Sequence, residues 1–145
     1  MDQQKIFDQL IAKDTKEALA AFHVIEAASK ESPLYANNLS FFLPALTCEK
    51  ACGRGRAFKF FMLNAKWDNE EIIEKHLLEL LAILNDPKAP VVRQCLPYLP
   101  YLAAAKPALI PTIQAKLDSL ILDDYKESMQ ELIKKDIAKV RLQFG

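Results

Sequence analysis

Only two glycines, Gly53 and Gly55, lie inside this 145-residue chain; the third is the terminal Gly145. Hairpin turns lean on glycine at positive φ, and strands lean on β-branched side chains. Valine, isoleucine and threonine together supply 18 residues, against 40 leucines and alanines. That balance all but excludes a sheet-based fold and points to helices throughout. Apolar residues make up 51% of the chain, which excludes disorder as well. At this length a single domain over 1–145 is expected.

The apolar period and the start signals predict helices at about 3–12, 15–31, 33–46, 52–67, 69–84, 87–104, 107–122 and 125–143. Asp14-x-x-Glu17, Asp68-x-x-Glu71 and Asp124-x-x-Glu127 each have the spacing of a capping box with Asp in place of Ser or Thr. Ser32-Pro33 and Asp86-Pro87 read as a cap followed by a proline whose missing N–H costs nothing in the first turn. Linkers of roughly two to five residues make consecutive helices antiparallel neighbours. Six of the eight prolines lie between 87 and 111. Pro97 and Pro100 fall mid-helix, where each removes an i→i−4 bond, so a kink is expected there.

The helices also repeat. A shift of 38 residues lays Lys50-Ala51 on Lys88-Ala89, Phe58 on Leu96, Phe61 on Leu99, Ala65 on Ala103, Ile72 on Ile110 and Leu84 on Leu122. A helix-pair period near 40 marks HEAT and armadillo arrays, in which stacked pairs share one core. Asn85-Asp86-Pro87, Val91-Val92-Arg93 and Leu109-Ile110-Pro111 resemble the Asp, Val-Arg and Leu-x-Pro positions of a HEAT repeat. Residues 50–140 resemble more narrowly a family of small cytoplasmic HEAT-like proteins from low-GC Gram-positive bacteria. The matching stretches are Asn64-Ala65-Lys66-Trp67-Asp68, Arg93-Gln94-Cys95, Lys106-Pro107, Tyr125-Lys126-Glu127-Ser128-Met129 and Lys135-Asp136-Ile137. The resemblance implies a fold much more than a function. The fold expected is an all-α, right-handed solenoid of antiparallel helix pairs, about three and a half pairs long. The last helix, with Lys126, Lys134, Lys135 and Lys139 on its outer side, would serve as its cap.

The net charge is zero, with 19 basic and 19 acidic residues, which argues against a dedicated nucleic-acid binder. The zero is nevertheless a sum of blocks. Residues 50–66 carry five basic groups (Lys50, Arg54, Arg56, Lys59 and Lys66) and no acid. Residues 68–86 carry six acids and one lysine, and 87–117 four basic groups without an acid. Three readings fit these blocks. They are an Asp/Arg ladder that neutralises itself between repeats, a surface for an acidic partner, or a phosphate-binding surface. No apolar run approaches the roughly 18 residues of a membrane span. The start lacks the pattern of a signal peptide, so a cytoplasmic location is expected.

Few motifs carry chemistry. Cys48-x-x-x-Cys52 and Cys95 lack the paired spacing of a structural zinc site. They read as small apolar thiols, with Cys52, beside a helix start and Arg54, as the one candidate for reactivity. His23 and His76 have no partner adjacent in sequence, and no phosphate loop, nucleophile elbow or dinucleotide fingerprint is present. Gly53-Arg54-Gly55-Arg56 reads either as an anion cradle at a helix start or as a flexible turn between repeats. Trp67 reads as a binding anchor or as a wedge between helices. Tyr98 and Tyr101 share a helical face and suit either a peptide groove or the core edge.

The function expected is that of a non-catalytic scaffold or adaptor that binds a protein or peptide through the solenoid surface. Arg54, Arg56, Lys59, Trp67 and Arg93 are the candidate binding residues. No metal, cofactor, small-molecule substrate or membrane is implied. The alternative is nucleic-acid binding through the basic helices 50–66 and 87–106.

Overall fold

The structure, a computed structural model, describes residues 2–144. Among them there are nine α-helices and no strand. Helix α1 spans Gln3–Leu10, α2 Lys16–Glu31 and α3 Ala51–Asn64, with a 3₁₀ segment over Ala36–Thr47 between α2 and α3. A 3₁₀ turn over Ala65–Trp67 ends α3, and α4 (Ile72–Lys75), α5 (Leu77–Leu81) and a 3₁₀ turn at Ala82–Asn85 follow. Helix α6 (Ala89–Cys95) passes through 3₁₀ Leu96–Tyr98 into α7 (Leu99–Ala105). The 3₁₀ turn Pro107–Leu109 leads into α8 (Ile110–Asp118), and α9 covers Glu127–Leu142.

Helix α3 is the centre of the fold. From Ala57 to Ala65 every residue except Lys59 is buried, so the helix is covered on all sides rather than along one stripe. It packs against α1, α2, the 36–47 segment, α6 and α7, and α6 in turn packs against α9. Helices α2, α3, α6 and α9 begin at residues 16, 51, 89 and 127, in steps of 35, 38 and 38. The 38-residue shift seen in the sequence is thus the distance along the chain between the starts of α3, α6 and α9. One core cluster runs from Ile6 to Phe144, with Phe42 and Phe60 at its heart, their ring centroids 4.8 Å apart.

The interruption near Pro97–Pro100 lies where the sequence places it. Pro97 enters the 3₁₀ turn and Pro100 the first turn of α7, where neither needs an N–H partner. Other expectations need correction. The helix expected over 33–46 is a 3₁₀ segment, because Asn38 leaves helical geometry (φ −149°, ψ 63°) and Pro44 cannot donate an i→i−4 bond. The helix expected over 69–84 starts late and is broken. Glu71 sits in the left-handed region at φ 57°, and the chain bends again at His76. The helix expected over 107–122 stops at Asp118, and residues 119–126 form a longer linker whose Leu120, Leu122 and Tyr125 pack on the core.

The capping boxes differ as well. Thr15, not Asp14, caps α2 by accepting from the Ala18 amide at 3.1 Å. Asp68 accepts from Ile72 and Ile73, at 3.1 and 2.9 Å, so it caps a helix that starts later than the box predicts. Asp124 caps nothing; α9 starts after Lys126 without a side-chain cap.

Gly53 and Gly55 are helical, and neither forms a flexible turn. A Cβ at Gly53 would lie 2.8 Å from Cys48 Sγ and 3.0 Å from Ile11 Cα, so α1 and α3 approach too closely there for any side chain. A Cβ at Gly55 would meet nothing nearer than Val91 Cγ1 at 3.9 Å. Gly53→Ala is therefore expected to cost about 1–3 kcal/mol despite its better helix propensity. Gly55→Ala is expected to gain about 0.5–1 kcal/mol. Urea denaturation of the two variants checks the opposite signs.

Candidate functional site

The first three turns of α3 carry three cations that point in different directions. Arg54 turns toward the start of α6. Its Nε and Nη2 donate to the two oxygens of Asp86, at 2.7 and 3.1 Å, and its Nη1 donates to the carbonyls of Cys48 and Glu49. Asp86 is nearly closed off, at 3% side-chain exposure, and it also accepts from the Lys88 amide at 2.9 Å. The bond to Asp86 raises the pKa of Arg54 further, so the guanidinium stays charged. Arg56 turns the opposite way, into the α1–α2 connection. Its Nη1 donates to Leu10 and Ala12 carbonyls at 2.8 Å each, and Asp14 stands 3.7 Å away. The two arginines next to the glycines do not form an anion cradle; they fasten α3 to its neighbours on both sides.

The same holds for the next basic block. Arg93 is held by both oxygens of Asp136 on α9, at 2.8 and 3.3 Å. Lys106 donates to Glu74 at 2.7 Å and lies 3.2 Å from Asp68. Trp67 is half-buried, and its Nε1 donates to the Ser29 carbonyl at the end of α2, at 2.7 Å. It wedges two helices together, with the Lys66 ammonium 5.0 Å above its ring. Arg54, Arg93, Lys106, Trp67 and the hydrogen bond from Tyr125 to the Asp86 carbonyl all join positions 32 to 43 residues apart. Arg54, Arg93 and Lys106 are thus each neutralised by a carboxylate of a neighbouring helix or turn. Arg54, Arg56, Trp67 and Arg93 each have a partner within the chain.

Lys59 is the exception. It carries no carboxylate partner among the described residues and sits between the rings of Phe22 and Tyr98, at 5.9 and 5.5 Å. It lies on the floor of a cleft of about 500 Å³ between α2, α3 and α6. One wall is Leu19 and Phe22 of α2, the other Pro90 and Val91 of α6. Cys52 and Arg56 complete the floor, and the exposed Lys88 stands on the rim. At the far end a hydrogen bond from the Tyr98 hydroxyl to Glu26 closes α2 against the α6–α7 junction. Burial and that bond push the Tyr98 pKa well above the ordinary phenol range, so the bond persists at neutral and mildly basic pH. Tyr101, its neighbour at 5.7 Å between ring centroids, is exposed beneath Lys30.

Of the five candidate residues, the structure brings only Lys59 and the inner edge of Arg56 to this cleft. Sequence reasoning missed Leu19, Phe22 and Lys88. Only Lys88 had a signal, its match to Lys50 under the 38-residue shift. The cysteines stay apart from one another's chemistry. Cys95 is fully buried against α3, which pushes its thiol up to about 12, and burial raises Cys48 as well. Cys52 is half-buried and points its thiol at the Ala12 carbonyl, 3.6 Å away. His76 pairs with Glu79 at 3.0 Å, whereas His23 is exposed on α2. Among the described residues no group of three or more His, Cys, Asp or Glu is placed to hold a metal ion. No helix among them is long and apolar enough to cross a membrane.

Compared with protein-family models, curated proteins and solved structures, the chain matches none.

Removing Asp86 leaves the Arg54 guanidinium, only 16% exposed, without its counter-charge. Asp86→Ala is expected to lower stability by about 3 kcal/mol in urea denaturation. Native protein treated with a thiol reagent at pH 8 is expected to keep Cys95 unmodified, since its thiol is buried and protonated there. Peptide mapping with and without denaturant checks this.

Proposed function

We propose that the chain is a HEAT-like helical array that acts as a non-catalytic binding module. It would take an acidic segment of a partner protein in the cleft between α2, α3 and α6. The carrying observation is the combination in that cleft of apolar walls with two lysines, Lys59 and Lys88, that have no carboxylate partner among the described residues, the one acid of the lining, Asp14, standing beside Arg56. Leu19, Phe22, Pro90 and Val91 offer a dry surface for one or two apolar side chains, and Lys59 and Lys88 offer charge for flanking Asp or Glu. The array reading is supported by the steps of 35, 38 and 38 between successive row helices, and by polar links that span about one repeat. The alternative, a phosphate-backbone surface made by 50–66 and 87–106, is disfavoured by the pairing of Arg54, Arg93 and Lys106 with carboxylates. A nucleic-acid stripe needs those cations open.

The test uses fluorescence anisotropy with peptides that place one Leu or Phe among Glu residues, beside neutral scrambled versions and duplex DNA. Wild type is expected to prefer the acidic peptides, and Lys59→Glu/Lys88→Glu to weaken them about tenfold or more, since each lost rim charge is worth roughly 1 kcal/mol. Tighter binding to the duplex, with a steep loss in salt, would overturn the reading in favour of nucleic acid.

A further inference from the structure

The cleft between α2, α3 and α6 carries more positive charge than one carboxylate can answer. Arg56, Lys59 and Lys88 are the cations of its lining and Asp14 is its one acid, so the lining holds a net charge of +2. The Asp14 side chain is 78% exposed and stands 3.7 Å from Arg56, where water and salt screen it. Arg56 keeps its guanidinium on the carbonyls of the α1–α2 connection and adds charge to the cleft more than donors. Neither Lys59 nor Lys88 has a carboxylate partner among the described residues, and the Lys59 ammonium stands against the rings of Phe22 and Tyr98. Lys88 is exposed on the rim, where its flexible four-carbon stem can swing over the opening.

The walls set a second condition. Leu19 and Phe22 on one side and Pro90 and Val91 on the other are apolar, and a carboxylate pressed against them would lose its water without gaining a donor. The volume of about 500 Å³ is that of a small-ligand pocket rather than of a seat for a whole helix. The group that suits it is a side chain that is apolar along its length and doubly charged at its tip. A phosphomonoester carries about −1.5 to −2 charges at neutral pH, with strong acceptor oxygens for ammonium donors. On serine or threonine that phosphate sits close to the backbone, with little apolar stem to lie against the walls. On tyrosine a ring separates the two, and apolar walls that include the Phe22 ring accommodate it.

We propose that the cleft takes a phosphotyrosine side chain from a segment of a partner protein. Lys59 meets the phosphate from the floor, Lys88 closes on it from the rim, and the ring lies between the walls of α2 and α6. The inference rests on the reading of the cleft as a seat for an acidic segment, and it names the anion that the segment carries. Glutamate in the same place offers about half the charge and no ring. The two lysines act as point charges without the planar fork of an arginine, so the ring against the walls supplies the selectivity and the charge supplies the attraction.

Fluorescence anisotropy on the full chain tests this, with circular dichroism to confirm that each variant is folded. The probes are one short Gly/Ser peptide whose central residue is phosphotyrosine, tyrosine, phosphoserine or glutamate, beside the peptide that places Leu among Glu residues. Wild type is expected to bind the phosphotyrosine peptide about tenfold or more tighter than its tyrosine, phosphoserine and glutamate versions. Phenyl phosphate is expected to displace it at concentrations where inorganic phosphate does not, since only the former brings a ring. Lys59→Gln is expected to weaken the phosphotyrosine peptide about tenfold and to leave the tyrosine peptide unchanged. If that variant does not fold, Lys88→Gln on the exposed rim decides by the same comparison. Phosphotyrosine bound no tighter than tyrosine, while the Leu/Glu peptide binds through Lys59, would overturn the inference and leave the acidic-segment reading standing. Binding of neither would overturn both. Phosphoserine bound as tightly as phosphotyrosine, or inorganic phosphate displacing as well as phenyl phosphate, would overturn the assignment to tyrosine.

Discussion

The contact between Arg54 and Asp86 holds together more of this fold than any other single pair. One guanidinium reads both carboxylate oxygens and two carbonyls of the preceding loop, so it fixes where α3 begins and where α6 begins at the same time. The carboxylate also holds the Lys88 amide, and the Asp86 carbonyl accepts from Tyr125 in front of α9. Helices α3, α6 and α9 are thus tied at one node, where the Asp86 side chain is 3% exposed. A pair so placed is costly to break, because either half left alone is an uncompensated charge in a poorly solvated site. Arg56 makes the matching tie to the turn before α2, using neutral carbonyls as its main acceptors.

These ties explain why the cleft exists. Arg54 and Arg56 leave opposite sides of α3, and Gly53 lets α1 close to within a bare backbone of it. With α2 and α6 held on either flank, the α3 residues between them form a floor. Lys59 is the residue that this geometry leaves over. It has aromatic rings beside it and no carboxylate partner among the described residues. A cation without a counter-charge in a partly apolar cleft is a different object from the paired arginines around it, although all of them belong to one basic block in sequence.

Much of the architecture is legible in the residues. Low glycine and β-branched content makes the chain helical, the proline pair at 97 and 100 marks its interruption, and the 38-residue shift is the distance along the chain between the starts of α3, α6 and α9. Cap geometry is less legible, because Asp14 and Thr15 are both competent caps and adjacent in sequence. Thr15 is the one that faces the helix, while Asp14 stands exposed 3.7 Å from Arg56. The segment at 36–47 has the composition of a helix, yet Asn38 and Pro44 each break the i→i−4 ladder, and packing against α3 holds it in the tighter 3₁₀ winding. The break around Glu71 has a comparable origin. Asp68 reaches past it to cap Ile72 and Ile73, and the intervening residue is forced to positive φ.

By itself, then, the amino-acid sequence determined the helical class and the alternation of charge blocks, since propensity and charge are local properties of the residues. It did not determine which cations are open. Arginines at 54, 56 and 93 look available in a string of letters because their acceptors lie 32 to 46 residues away or on backbone carbonyls that every sequence shares. Tertiary packing brought those acceptors within reach and spent the charges on cohesion. It left the lysines at 59 and 88 beside an apolar cleft, because burial and pairing depend on distance in space rather than along the chain.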